Sequence, residues 1–308
     1  MGWDWLLGHR AMRVIRYFLG LYLLLGSVFL SACTDQHIPS DSGNQNSTNP
    51  LTLYFNKETG AQFVARTKAN SDNPLPTSST TFYNQQWHKN PIDVVIEHGP
   101  NTITLHHVIS VQTATAGNNG IVNSYNNIGA SLTNNNTMGH DQARLEILSI
   151  FKHLKQKGWQ RVIELSSPRL VGKDTITYAS KHTYELDPDY AYTLDEWMQL
   201  KDGSRWLLQA NGIYVTITMR RDQSKMDPKK SGAYYISYEF VSEKEYYAPY
   251  FKDDDLKKWE INAARWVTLY PGIKKEMNQI RAEKEAELKG QGIMIDESYQ
   301  DPPLVSKK

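Results

Sequence analysis

His98, His106 and His107 lie close together in the chain and carry the side chains best suited to hold a transition metal. Neighbouring residues on a strand point to opposite faces, so His106 and His107 do not easily share one ion. They read more plainly as strand histidines at or near the surface. Asp187 and Asp189 flank Pro188 and could form a carboxylate pair for acid–base work. The same spacing is typical of turn and cap residues. Asp253, Asp254 and Asp255 precede a helical stretch, where negative charge suits the helix dipole. No ladder of spaced carboxylates accompanies them, as calcium would need. Tyr246, Tyr247, Tyr250 and Phe251 fall in a polar stretch read as a loop. They fill a core or form a partner-binding patch, since tyrosine-rich loops commonly anchor interfaces. Trp259, Trp266 and Tyr270 read as core.

Motifs with a reaction attached are missing from the sequence. There is no Gly-x-Ser-x-Gly elbow, no His-Glu-x-x-His helix, no phosphate-binding glycine loop and no dinucleotide fingerprint. The expectation is a protein without catalysis, metal or cofactor. Its 34 basic and 33 acidic residues nearly cancel, which argues against a nucleic-acid partner.

The lone cysteine, Cys33, closes Leu30-Ser31-Ala32-Cys33 at the end of the uncharged run 18–30, with Arg10, Arg13 and Arg16 upstream. A basic segment, a short apolar run and small residues make a secretory signal. The run is shorter than the roughly 20 residues that a spanning helix needs. Ser31 and Ala32 are small enough to admit a peptidase, and the thiol is a nucleophile able to take a thioether lipid. A single cysteine forms no disulfide within the chain, and a free thiol is a liability in an oxidising periplasm. The tetrapeptide resembles the lipobox of bacterial lipoproteins. The resemblance implies cleavage between Ala32 and Cys33, lipid on Cys33 and an acylated new amino terminus, which together anchor firmly. Thr34, where aspartate favours inner-membrane retention in such lipoproteins, implies the outer membrane and its periplasmic face. Trp3, Asp4 and Trp5 are unusual in a leader, and a start at Met12 gives a compact one.

Four segments follow: a leader over 1–32, a flexible polar tether over 33–50, a β-rich lobe over 51–138, and an α+β lobe over 139–308. The expected fold class is α+β, two lobes with antiparallel meanders and flanking helices. In the first lobe, Leu51–Asn56 and Ala61–Thr67 form a hairpin about residues 57–60, and 69–80 is a polar loop. Ile92–Glu97 and Thr102–Val111 are strands. Residues 113–138, rich in Asn, Gly, Ser and Thr, read as a surface excursion with at most a short strand near Ile121.

In the second lobe, Ile147, Ile150, Phe151 and Leu154 mark one face of a helix over 141–157, with Asp141 as cap and Gly158 as stop. Residues 161–165 return as a strand, and 174–181 fit a short helix or a strand. Thr193 and Glu196 form a capping-box pattern. Asn211-Gly212 demands a tight turn between Arg205–Gln209 and Ile213–Arg220, and Tyr234–Val241 completes a meander. Residues 254–267 and 272–289 are helical with a break at Pro271, the second mostly a solvated face.

The order of the 141–157 helix, Gly158-Trp159, the capped Trp197 helix and the Asn-Gly meander resembles lipoproteins that act as immunity proteins against type VI secretion lipase effectors. The likeness covers about half of the chain after the leader and lies in the order of elements. It implies a lipoprotein that binds a toxic phospholipase in the periplasm and covers its active-site cleft. The other expectation is an envelope-assembly or structural lipoprotein that binds cell-envelope components.

Overall fold

The computed structural model describes residues 50–55, 80–116, 124–133, 137–251 and 256–307. Ala32 and Cys33, the tether through residue 49, the 57–60 turn, the 61–67 strand and Asp253 to Asp255 lie outside the described residues.

The chain begins with β1 (Leu51–Tyr54), β2 (Thr80–Gln86), β3 (Ile92–Glu97), β4 (Ile103–Ala116) and β5 (Ser124–Ser131). A short β6 (Met138–Gly139) leads into α1 (His140–Gln156), followed by β7 (Gln160–Arg161), α2 (Lys173–Ala179) and α3 (Leu194–Gln199). Then come β8 (Ser204–Ala210), β9 (Ile213–Arg221), β10 (Ser231–Gly232) and β11 (Tyr234–Ser242). Three helices close the fold: α4 (Glu243–Phe251), α5 (Leu256–Ala264) and α6 (Trp266–Gly290). Among the described residues no helix is long and apolar enough to cross a membrane.

The fold is α+β, with a nine-stranded mixed sheet in the order β1-β3-β4-β5-β11-β9-β8-β7, and β2 paired to β4. β1 runs parallel to β3, whereas the β8–β9–β11 meander is antiparallel as expected. β6 and β10 form a separate pair.

Two expectations need correction. Residues 113–116 and 124–131 are not part of a surface excursion, because β4 continues to Ala116 and β5 is an interior strand; Ile121 lies outside the described residues. β5 is weak in intrinsic strand preference, but Tyr125, Ile128 and Ala130 alternate inward and are buried by strands on both sides. The 51–138 and 139–308 segments also do not hold separate sheets. The β5–β11 ladder crosses the expected division, and one core cluster draws on both halves.

The two sheet faces differ sharply. On one, Val111, Ile128, Tyr238, Ile217 and Trp206 stand opposite one another across five strands, all buried. Ile147, Phe151 and Leu154 of α1 and Trp197 of α3 complete this core. On the other, the row is Gln86, Ser110, Gly129, Ser237, Thr218 and Arg205. Gly129 has a packing reason: a Cβ there would lie 2.2 Å from the Tyr235 hydroxyl.

Local signals explain the element ends. α1 stops where Gly158 takes φ 82°, and Trp159 N–H and Gly158 N–H return to the carbonyls of Leu154 and Lys155. Gly139, not Asp141, sits at its amino-terminal cap position, and Asp141 lies in the first turn. Thr193 and Glu196 form the reciprocal capping box on α3. Asn211 and Gly212 take φ 42° and 84°, as the tight turn requires. Residues 161–165 yield no strand past Arg161, and 173–179 are helical.

The carboxy-terminal helices differ from expectation in two ways. The break comes at Arg265, and Pro271 lies inside α6, while Pro249 lies inside α4. The charged face of α6 is not simply solvated, since Arg281 and Glu285 are buried. Arg281 donates to the carbonyls of Ser167 and Glu164 and pairs with Asp301, and Arg169 grips Glu285. The tail packs back through Tyr299, whose hydroxyl accepts from Ile163 N–H at 2.8 Å. Glu243 receives the N–H groups of Val305 and Ser306.

Removing the cap with Thr193→Ala is expected to cost about 0.5–2 kcal/mol in urea unfolding. Gly129→Ala is expected to destabilise by over about 1 kcal/mol, as overpacking does. Adding Tyr235→Ala should recover part of that loss, because its hydroxyl makes the closest clash and Ser110 Oγ, at 2.7 Å, makes the other.

Candidate functional site

The structure scatters the residues picked for chemistry. The Nε2–H of His98 donates to the Ala210 carbonyl at 2.9 Å, which fixes it as a structural contact. His106 is exposed and pairs with Asp93 at 3.0 Å, and His107 takes φ 55° at an irregularity in the β3–β4 ladder. Among the described residues no three His, Cys, Asp or Glu side chains are grouped to hold an ion. Asp187 is buried, accepting from Gly172 N–H at 2.8 Å and Asp189 N–H at 3.0 Å. Asp189 faces outward and pairs with Lys155 at 2.6 Å. The two carboxylates therefore act as turn and surface residues, without a shared reaction centre.

Tyr246, Tyr247, Tyr250 and Phe251 do not lie in a loop. They lie on α4 and fill the gap between the sheet and α6, with Tyr247 and Phe251 buried and Tyr246 and Tyr250 half-buried against them. Tyr246 stacks on Tyr214 at 4.0 Å with the rings 7° apart. Tyr247 meets Tyr270 edge-on at 4.8 Å, and its hydroxyl lies 3.2 Å from that of Tyr214. The physical reason is area: β8 and β9 present Leu207 and Tyr214 on this side, and only large rings span the distance to Trp266 and Tyr270. Trp266 and Tyr270 are core, as read.

The sequence reading missed the group that the fold does bring together. Glu164 follows β7, Glu185 precedes β8, Arg205 lies on β8 and Lys284 comes from α6. Arg205 Nη2 is 2.5 Å from Glu185 and 3.8 Å from Glu164. Lys284 donates to the Ser166 carbonyl at 2.8 Å. Tyr246 and Tyr250 lie close enough that both carboxylates push their hydroxyl pKa values up, on top of burial.

The electrostatics follow from crowding. Burial, and then repulsion from Glu185, raise the Glu164 carboxyl to about 8, against the pull of Arg205 and Lys284. Burial lowers the Lys284 ammonium, with Glu164 opposing. Burial also raises Glu239, which Arg205 pulls down and Glu245 pushes up. The Glu164 carboxyl thus holds a proton near neutrality, close to the Arg205–Glu185 ion pair. Such a group can donate or accept a proton. Glu185 Oε2 is buried without a hydrogen-bond partner. Access is narrow, since Glu164 is 21% exposed and Glu185 4%. One signal could have exposed Arg205: it alternates with Leu207 on a strand that neighbours bury from both sides.

Comparisons with protein-family models, with characterised proteins and with solved structures found no match to this chain.

Two outcomes test the cluster. Glu164 has a folded pKa above its unfolded value of about 4.3, so its contribution is full below that value and fades as pH rises through the folded one. Wild-type stability should therefore fall between pH 5 and 8 more steeply than that of Glu164→Gln, compared by urea unfolding at both pH values. Arg205→Met leaves Glu164 and Glu185 without their guanidinium and is expected to cost about 3–5 kcal/mol at pH 8, and less at pH 5.

Proposed function

We propose that this chain is a lipid-anchored, periplasm-facing protein of the outer membrane that binds and neutralises a (phospho)lipase effector of a type VI secretion system. The observation that carries the reading is the order of segments. Leu30-Ser31-Ala32-Cys33 supplies the anchor, residues 34–50 a polar tether, and a folded body follows. The body offers a polar sheet face on which Ser237 and Thr218 lie in register, half-buried, with Ser110 buried and Tyr235 half-buried beside them. An aromatic side chain among small hydroxyls suits protein recognition, because it presents contact area at low entropic cost. Tyr235 takes the anchoring role that the buried α4 tyrosines do not offer.

A second reading has one observation in its favour. Glu164, a carboxyl raised to about 8, lies near Arg205 and Glu185, and a group that titrates there suits general acid–base catalysis.

A soluble form spanning 34–308 should capture a lipase from the secreted proteins of the same strain and abolish its activity. Tyr235→Ala should weaken capture about thirtyfold, the scale of an interface hot spot. Cys33→Ala should weaken protection of cells and leave binding unchanged. Recovery of peptidoglycan or envelope-assembly proteins alone would shift the reading to a structural lipoprotein. Hydrolysis by the chain itself, lost in Glu164→Gln, would establish the second reading.

A further inference from the structure

Beside the short β7 strand is a cavity of about 260 Å³, lined by Leu208 on the face of β8 opposite Arg205. Arg161 pairs with Leu208 in the β7–β8 ladder, so the two side chains share a face, and both line this cavity. The Arg161 side chain is 10% exposed. Its Nε and Nη2 donors are buried and have no hydrogen-bond partner. The nearest carboxylate, Asp187, is 3.7 Å from Nη1, and its two oxygens already accept from Gly172 and Asp189 N–H. A charged donor left so enclosed costs free energy that an acceptor would recover.

Nε and Nη2 lie along one edge of the guanidinium, the edge that grips a planar oxyanion with two parallel bonds. Elsewhere in this protein the same edge is used in that way. Arg169 donates from Nε and Nη2 to the two Glu285 oxygens at 2.8 and 2.7 Å. On Arg161 that edge is vacant. The surroundings define what would fill it. Lys155 brings a second cation to the cavity, already paired with Asp189 of the same lining at 2.6 Å, and Phe151, Trp159 and Leu208 supply apolar walls.

We infer that this cavity is a carboxylate-binding site, with Arg161 as its anchor and room for a small flat apolar body on the acid. The vacant edge is closed to water in this conformation, so the assignment requires the guanidinium to turn from Asp187 toward the cavity. The carboxylate comes from a free organic acid or from an acidic side chain of a docked protein. The site stands apart from the partner reading above, because it uses neither Tyr235 nor the anchor.

The test titrates benzoate into the full-length chain in detergent, followed by calorimetry and by the Arg161 Nε–H resonance, assigned through its loss in Arg161→Gln. The expected result is saturable binding that moves that resonance. Arg161→Gln should weaken binding about tenfold or more, as loss of charged hydrogen bonds does. Lys155→Met, an exposed change that leaves the core intact, should weaken it about twofold to fivefold. N-acetylglutamate amide run in parallel separates the sources: tighter binding than benzoate identifies a partner's side chain, and weaker binding a free acid. Absence of saturation, a benzoate affinity equal in Arg161→Gln, or one equal in Lys155→Met would overturn the assignment. So would inorganic phosphate binding more tightly than either carboxylate.

Discussion

Burial of one face of the central strands is the constraint on which the rest of this structure depends. Val111, Ile128, Tyr238, Ile217 and Trp206 meet in register from five strands, and a register slip in any one would turn its apolar set outward. α1 and α3 are placed to cover that face: Phe151 meets Trp206 at 5.0 Å, and Trp197 lies in the same cluster. Covering a side chain of this size is worth about 1.5–3 kcal/mol, more than any single surface contact in the molecule supplies. The polar row behind it is a consequence, because a face only partly covered can carry Ser237 and Thr218 half-buried.

The second layer is held by different forces. α4 and α6 cover only the β8–β9 end of the sheet, through tyrosine stacking and buried ion pairs. Ion pairs at such depth contribute little net stability, yet removing one partner is costly because a buried charge is left behind. Arg169–Glu285 and Arg281–Asp301 therefore specify where α6 sits more than how strongly it binds. The strained member of this layer is the Glu164–Glu185 pair, where a single guanidinium faces two acids. Crowding of that kind is how a protein places a proton at a defined point near neutral pH.

Much of the second half of the chain was legible in its sequence. α1, the Thr193–Glu196 box and the Asn211-Gly212 turn each rest on a local rule, and each formed where that rule placed it. β5 was not legible, because Ser124, Asn126, Asn127 and Gly129 carry no local strand signal, and its state is decided by β4 and β11. Arg281 and Glu285 were misread for a related reason. Their spacing fits a solvated helix face, and burial came from partners on a remote segment, Asp301 and Arg169. The α4 tyrosines read as a loop because the stretch is polar, and the helix forms there with Pro249 inside it. The Glu164 cluster collects residues from four separate stretches, so no window of sequence contains it.

The β5–β11 ladder also bears on how the chain reaches this state. A ribosome completes β5 about a hundred residues before it begins β11. During that interval β4 is at hand, but the other side of β5 has no strand to accept it. Unpaired strand edges of this kind invite pairing with other chains. A chain exported while unfinished or unfolded would thus depend on a chaperone to shield that edge, and a nonsense product ending before Tyr234 would be a template for aggregation.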